Sequence, residues 1–305
     1  KGDDLKLGSV ALSEKAQPKQ QIKPGAIIRV LPSEGRWVLA QMPQVEAAFV
    51  ALDTHDGGIR ALVGGFDHNR NKFNHVSQAQ RQPGSSFKPF VYATAFMKGY
   101  TPETVLFDVQ TEFSSQCTPD SKPKSDKADQ KICYSPVEYD GIFEGPMTVR
   151  TALAHSRNVP AVKALYLAGI QESLNTAKAM GITSLKDPNR YGLTLVLGGG
   201  EVSLLELTSA YGVFANDGIR NNYRAILKVE DSSGKVLEEA VNDPSESIPP
   251  QVARQISDIL SDTKVRMSSL IPVGESLGGR PVAIKTGTTN DFRDVWIEGY
   301  TPRSE

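Results

Sequence analysis

Alternating apolar positions mark the first predicted sheet of the chain. Residues 47–52 and 59–63 have the pattern of strands, and the turn-rich segment between them predicts a β-hairpin. Upstream, residues 1–44 are polar apart from two short β-like runs. We therefore predict a small β module with a connector, followed by a larger domain that covers residues 45–305.

Helical spacing replaces this alternation after Gly84. Apolar residues between Phe87 and Phe96 predict a helix that ends near Lys98, and because it is apolar on most sides we expect it at the centre of the fold. Further helices are predicted over 148–155, 159–168, 171–180, 204–216 and 250–263. Residues 110–136 are rich in Ser, Lys, Asp and Pro and predict an exposed insertion instead.

β patterns return in the last third of the chain. A surface hairpin is predicted over 225–238, and the Gly-rich segment 274–279 leads into strands over 281–286 and 294–300. The order sheet, helical block, sheet predicts an α+β fold in which the first and last strands share one sheet around a helical lobe. We expect a cleft where the lobe meets the sheet.

The composition narrows the functional classes. With 39% apolar and 23% charged residues, a length of 305 and a net charge of −1, the chain is predicted to be globular and not disordered. The balanced charge disfavours nucleic acid as a partner, and the four histidines lack metal-ligand spacing, which disfavours a metallopeptidase. No run of about 20 apolar residues and no leader is visible, and a chain that begins with Lys1 is expected to be a piece of a longer protein.

A serine followed three residues later by a lysine places a hydroxyl and an amine on one helix face, where the amine can accept the hydroxyl proton. This pattern occurs four times, at Ser85 with Lys88, Ser121 with Lys124, Ser232 with Lys235 and Ser261 with Lys264. Two of the pairs lie in exposed loops and one at a frayed helix end, where nothing excludes water. At Ser85 a helix N-terminus favours developing negative charge, and apolar neighbours lower the pKa of Lys88. A capping serine with a solvated lysine explains these two residues equally well.

Two further motifs could complete a site. Ser156 and Asn158 lie in a loop between predicted helices, where both side chains can point into one cleft, whereas Ser173 and Asn175 fall inside a helix and face different ways. The run KTGT at 285–288 places a lysine beside hydroxyls on a strand edge, which suits a carboxylate ligand, and its glycine permits close approach of a substrate backbone. A helix stop with its cap and an ordinary strand end are the alternatives.

In this order along the chain, the three motifs resemble the active site of the class A (bifunctional) penicillin-binding proteins. The segments that carry the likeness are RQPGSSFKP at 81–89, LAHSRNVP at 153–160, EVSLLELTSAYGVFANDG at 201–218 and KTGTTND at 285–291. The resemblance covers about residues 45–302. It implies the α+β fold shared with serine β-lactamases: an antiparallel sheet flanked by helices, an all-α lobe, and an active site in the cleft between them.

The resemblance implies a D,D-transpeptidase that cross-links peptidoglycan stem peptides through a serine acyl-enzyme and is inhibited by β-lactams. Ser85 would attack the D-Ala-D-Ala bond, with Lys88 as its base. Ser156 would relay the proton to the leaving amine, and Asn158 would bind substrate. No cofactor and no metal is implied.

Substrate recognition and a disulfide are implied in the same way. Lys285, Thr286 and Thr288 would hold the terminal carboxylate beside Gly287, and the backbone N–H groups of Ser85 and Thr288 would form the oxyanion hole. The only cysteines bracket the insertion and would be joined because the family lies in an oxidising compartment; they are Cys117 and Cys133.

Further expectations concern the longer protein. Residues 1–44 would be part of an OB-like module, and the full-length protein would lie at the periplasmic face of the inner membrane. A membrane anchor and a glycosyltransferase domain would belong to it but are absent from this chain. The family sheet continues after Tyr300 with another strand and a helix, so the first hairpin would lack its partner here.

Alternative functions remain open. A serine β-lactamase, or a D,D-carboxypeptidase, must hydrolyse the acyl-enzyme, and class A β-lactamases use a glutamate after the Ser-x-Asn motif. Glu172 and Glu201 are the downstream acidic candidates. A penicillin-sensing receptor would keep the acylation site but transmit a signal instead of cross-linking.

Overall fold

A computed structural model of the chain forms two compact units, which divide between Glu46 and Ala47. The residues that it describes are 27–33, 35–40, 45–125, 129–266, 276–277 and 280–301. Most of the predicted Gly-rich segment at 274–279 and most of the polar start of the chain lie outside these residues. No helix in the described ranges has the length and apolar character needed to cross a membrane.

The first unit contains one antiparallel hairpin. Strand β1 (Arg29–Ser33) pairs with β2 (Arg36–Ala40), and Gly35 makes the turn between them with a φ of 73°. The hairpin agrees with the two β-like runs of the sequence. Its assignment to an OB-like module stays a prediction.

The second unit combines seven helices with six two-stranded antiparallel sheets in the described residues. Its strands are β3 (Phe49–Leu52), β4 (Ile59–Val63), β5 (Val105–Asp108), β6 (Gly145–Thr148), β7 (Ile219–Arg220), β8 (Lys228–Glu230), β9 (Val236–Glu239), β10 (Ser245–Glu246), β11 (Ser276–Leu277), β12 (Arg280–Pro281), β13 (Ala283–Thr288) and β14 (Val295–Tyr300). Its helices are α1 (Lys88–Met97), α2 (Val149–Ala154), α3 (Asn158–Ala168), α4 (Ile170–Ala179), α5 (Pro188–Tyr191), α6 (Leu204–Ala215) and α7 (Pro250–Ser261).

Helix α1 lies at the centre of the core, as its all-round apolar sequence predicted. Every residue of it except Met97 is buried. The ring of Phe90 lies 5.5 Å from the rings of both Tyr211 and Phe214 on α6, so the two helices are joined by an aromatic cluster. This packing fixes the start of α1, where the candidate serine and lysine lie.

The first and last hairpins do not form one sheet in the described residues, and the prediction that they share one is wrong there. Strands β3 and β4 pair only with each other, as do β13 and β14. A cavity of about 860 Å³, lined by β3 and the end of β14, separates the two edges, and neighbouring strands must lie only about 4.8 Å apart to bond. Among the described residues, no other strand pairs with the first hairpin at this edge.

The exposed insertion is closed at its base by a strand pair that the sequence did not predict. Strand β5 pairs with β6, although Gly145 and Pro146 are poor strand residues. Within the insertion a disulfide joins Cys117 to Cys133. The pairing brings Asp108, the last residue of β5, beneath the loop between α2 and α3.

Candidate active site

Ser85 lies in a tight turn that leads directly into α1. A 3₁₀ turn, Gly84–Phe87, precedes the first residue of the helix, Lys88, and leaves the Ser85 side chain half-buried. Gly84 has a φ of 57°, and a Cβ atom there would lie 2.6 Å from the carbonyl oxygen of Thr288. Glycine is required because the turn lies directly against the end of β13.

Gly287 serves the same close contact from the other side. A Cβ atom at this position would lie 2.0 Å from the carbonyl oxygen of Pro83. From the sequence, Gly287 was expected to let a substrate backbone approach closely. In the structure, the backbone that lies against it belongs to the turn that carries Ser85. The glycine therefore packs the KTGT strand against Ser85.

Lys88 is completely buried and donates to the loop between α2 and α3. Its Nζ lies 2.5 Å from the carbonyl oxygen of Ser156, 3.0 Å from that of Arg157 and 2.9 Å from Oδ1 of Asn158. The Oγ of Ser156 is 3.4 Å away. Burial and the charge of Lys285 hold the pKa of Lys88 well below its usual value. A neutral amine is therefore accessible one helical turn from Ser85.

Lys285 reaches the same serine from the opposite side. Its Nζ donates to Oγ of Ser156 at 2.8 Å and to the carbonyl oxygen of Thr286 at 2.8 Å. Burial lowers the pKa of Lys285 to about 7. Ser156 has a φ of 58° and points its hydroxyl between the two lysines. The structure thus brings residues of all three sequence motifs into one cluster.

The other Ser-x-x-Lys pairs lie elsewhere. Lys124 donates to the carbonyl oxygen of Ser115 in the insertion, and Ser232 is exposed in the β8–β9 turn. Ser261, at the end of α7, donates to Ser257 of its own helix. Ser173 is likewise turned back onto α4, where it donates to Gly169. The sequence analysis also set these residues aside, because they lie in loops, at a helix end or inside a helix.

Comparison with known proteins identifies the family. The profile described as "Penicillin binding protein transpeptidase domain" matches residues 47–305. The chain belongs to this family. Curated relatives include penicillin-binding protein 1A of Neisseria meningitidis, 35% identical over 303 residues and 98% of this chain, and that of Rickettsia bellii, 30% identical over 96% of it. This chain spans little more than a third of each relative, 36% and 38%.

Solved structures of penicillin-binding proteins share the fold of this transpeptidase domain. Penicillin-binding protein 1A from Haemophilus influenzae has a TM-score of 0.76 and 27% identity over 90% of this chain and 44% of its own. PonA1 from Mycobacterium tuberculosis, solved in complex with penicillin V, has a TM-score of 0.66 and 26% identity over 84% and 66%. The predicted penicillin-binding protein fold and the class A relationship are confirmed.

Sequence reasoning missed a buried charge cluster beneath the site of this transpeptidase domain. Arg157 is completely buried, with its Nε 3.0 Å from Oδ2 of Asp108 and its NH1 2.9 Å from Oδ2 of Asp140. Glu138 lies against the same guanidinium at 3.4 Å. Because Arg157 is the middle residue of the Ser-x-Asn motif, its side chain is directed inward while its neighbours line the cleft.

A second missed group is Glu298, which lies opposite Lys285 in the β13–β14 register. It is buried, and among the described residues only Thr208 on α6 donates to its carboxyl group, at 3.2 Å. Burial raises the pKa of Glu298 to about 8. None of the described side chains around Ser156 forms a hydrogen bond with Glu298. Titration of Glu298 should therefore change the free energy of unfolding.

We expect the mutation Glu298→Gln to stabilise the protein above neutral pH but hardly at pH 4 to 5. Between about pH 4.5 and pH 8 the folded state binds a proton that the unfolded state has released, so stability falls as the pH rises. At about 1.4 kcal/mol per unit, the two proteins should diverge by on the order of 3 to 5 kcal/mol. Thermal unfolding of both proteins at pH 5 and pH 8.5 tests this, and an equal difference at both values would contradict it.

Proposed function

We propose that this domain is a serine D,D-transpeptidase that acts on the D-Ala-D-Ala end of a peptidoglycan stem peptide. Lys88 accepts the Ser85 hydroxyl proton as Oγ bonds to the carbonyl carbon of the penultimate D-Ala. The C–N bond then breaks, and the terminal D-Ala leaves with a proton relayed by Ser156. An amine of a neighbouring stem peptide attacks the resulting ester, forms the cross-link and frees Ser85.

The position of the Ser156 hydroxyl carries this proposal. Its Oγ lies 2.8 Å from Nζ of Lys285 and 3.4 Å from Nζ of Lys88. A hydroxyl both donates and accepts, so it can pass a proton between an amine and a leaving group. Two buried lysines with lowered pKa values beside one serine are difficult to explain by stability, because burying their charge is costly.

Residues at the end of β13 would orient the substrate. The ammonium of Lys285, with the hydroxyls of Thr286 and Thr288, would bind the terminal carboxylate. The backbones of Gly84 and Thr288 are in close contact, which supports an oxyanion hole formed by the N–H groups of Ser85 and Thr288. Asn158 has a second amide proton available for substrate beyond the one it donates to Val137.

The contacts of the acidic residues favour a transpeptidase over a β-lactamase. Glu172 lies 3.5 Å from Lys98, and Glu201 lies 2.7 Å from Arg190, both in exposed ion pairs. Glu138 is near the cluster, but both its oxygens accept backbone N–H groups. None of these three carboxylates is therefore placed to activate water against an ester at Ser85.

Release of D-Ala from a D-Ala-D-Ala stem peptide, measured with and without an acceptor amine, tests the function. A transpeptidase should form an amide product whose yield rises with the acceptor concentration. Release without that product would indicate a carboxypeptidase, and acylation without turnover would indicate a sensor. The longer protein is proposed to act in the cell envelope, at the periplasmic face of the inner membrane, beside a membrane anchor and a glycosyltransferase domain.

We expect Lys285→Ala to lower the efficiency of penicillin acylation by about 10- to 100-fold without lowering the melting temperature. A charge-assisted contact to the carboxylate is lost, whereas relief of the desolvation cost of the buried ammonium offsets the hydrogen bonds lost at Ser156 Oγ and at the Thr286 carbonyl oxygen. In the unmodified protein the efficiency should also fall above about pH 7, where Lys285 loses its proton. Lys264→Ala, at an exposed lysine, is the control, and equal efficiencies in the two variants would show that Lys285 does not recognise the ligand.

A further inference from the structure

The segment just before β6, residues 137–144, lies against the Ser-x-Asn loop; we call it the acidic strap. It carries three carboxylates, and all of them lie within 3.4 Å of the guanidinium group of Arg157: Glu138, Asp140 and Glu144. The proposed reaction gives none of them a role. Their convergence on a completely buried arginine shows that the strap and the loop are packed as one polar unit.

Glu138 is the member of the strap that reaches the loop backbone. Its Oε1 accepts the N–H of Asn158 at 2.9 Å and the N–H of Val159 at 2.7 Å, and its Oε2 accepts the N–H of Asn158 at 2.7 Å. These N–H groups belong to the first turn of α3, which has no capping side chain of its own. The strap thus supplies both the cap and a negative charge at the positive end of the helix.

The strap also orients the Asn158 side chain. The Nδ2 of Asn158 donates to the carbonyl oxygen of Val137 at 2.8 Å, and its Oδ1 accepts from Lys88 at 2.9 Å. The amide therefore connects the strap to the proposed base. A shift of the strap would change the position of the acceptor that Lys88 meets.

A second connection between Glu138 and Lys88 is electrostatic. Lys88 faces two other cations, Lys285 on β13 and Arg157 in the loop, and one anion, Glu138. Burial and the two cations lower the pKa of Lys88, whereas Glu138 raises it. Asp140 lies at the exposed side of the strap, where water screens its charge, and its Oδ2 is 2.9 Å from NH1 of Arg157. The negative charge of Glu138 thus partly offsets the lowering of the Lys88 pKa by burial and by the two cations.

From these contacts we infer that Glu138 is a positioning residue of the acylation site, which holds the Ser-x-Asn loop through the N–H groups of Asn158 and Val159 and balances the charge around Lys88. The inference rests on the proposed function. Among the described residues Glu138 has no hydrogen bond or ion pair to Ser85, and it takes no part in the proposed binding of substrate. It acts through the residues that do.

The pH dependence of Ser85 acylation tests this role in the intact protein. We compare the unmodified protein with Glu138→Gln, which keeps an oxygen for the two N–H groups but loses the charge, and with Asp140→Asn, the matched loss of an acid from the same strap. The acid limb of the acylation rate, measured with a fluorescent penicillin, should move to lower pH by about one unit in Glu138→Gln. It should stay in place in Asp140→Asn. The melting temperature of each variant is recorded alongside.

Each outcome is decisive. An acid limb in Glu138→Gln that coincides with that of the unmodified protein overturns the inference, as does an equal shift in Asp140→Asn. Failure of Glu138→Gln to fold would assign Glu138 to stability alone and also overturn it. If the unmodified protein is not acylated at Ser85, the proposed function fails instead, so the two failures are distinguishable.

Discussion

Penicillin is expected to form a covalent adduct on Ser85 that lasts far longer than a catalytic turnover. A β-lactam presents a strained amide and a carboxylate where D-Ala-D-Ala would present its own, so the same serine and Lys285 can engage it. Deacylation is slow because the leaving group stays tethered in the path of the acceptor. The intact mass should therefore rise by one drug molecule per chain and stay raised, and Ser85→Ala should abolish the increase.

Peptide mapping locates the adduct and supplies the control. Trypsin cleaves poorly at Lys88 because Pro89 follows, so residues 82–98 form one peptide that carries both Ser85 and Ser86. Ser86 is buried beside Gly287 and has no role in the proposed reaction, so Ser86→Ala should still be labelled. An adduct on another serine, or rapid hydrolysis of the drug, would refute the transpeptidase assignment.

The local parts of the fold and site could be predicted because their signals are local. Helix α1 follows from apolar residues that recur on every side of it, and Ser85 could be selected because Pro83 and Gly84 mark a sharp entry to this helix. The motif around Ser156 was separated from that around Ser173 by its place in a loop. Each of these choices used only residues within a few positions of one another.

The buried cluster could not be predicted, because its members come from three separate segments. Asp108 ends a strand, Glu138 lies in the strap, and Arg157 lies in the loop between two helices. Asp108 and Glu138 belong to no pattern with their sequence neighbours. The one available signal was Arg157 itself, a charged residue between two candidate site residues.

The prediction of which strands share a sheet failed because it also depends on residues far apart in the sequence. The pattern of β3 and β4 identifies two strands and their turn, but it does not specify which edge meets another strand. The expectation that the first and last strands share one sheet rested on the order of elements alone. A cavity at that edge is a property of the assembled chain, which no short stretch of sequence encodes.

Lys88→Ala is expected to slow penicillin acylation of Ser85 by at least about 100-fold, the usual loss when a general base is removed. Lys88 is the amine one helical turn from the nucleophile, and burial keeps its pKa low enough for a neutral form. Lys285 lies on β13, where its Nζ donates to Ser156 Oγ and to the Thr286 carbonyl oxygen, and it does not belong to the helix that carries the nucleophile. The second-order acylation rate, measured by intact mass over time, gives the effect.

Stability must be separated from chemistry in this variant. Without Lys88 the carbonyl oxygens of Ser156 and Arg157 and Oδ1 of Asn158 lose a donor, which costs about 1 to 3 kcal/mol for each one left unpaired. Rates are therefore compared only at temperatures where thermal unfolding shows the variant to be folded. Lys98→Ala is the matched control, because Lys98 lies at the exposed end of the same helix and its Nζ lies 3.5 Å from Glu172 in a surface ion pair.

The pH profile then shows which group is the base. In the unmodified protein the acid limb should report the deprotonation of Lys88, and the fall above about pH 7 should report Lys285. Lys88→Ala should lose the first feature and keep the second. A variant that is slowed less than tenfold, or that retains the acid limb, would mean that another group removes the Ser85 proton, and Lys88 would then serve only to hold the Ser-x-Asn loop.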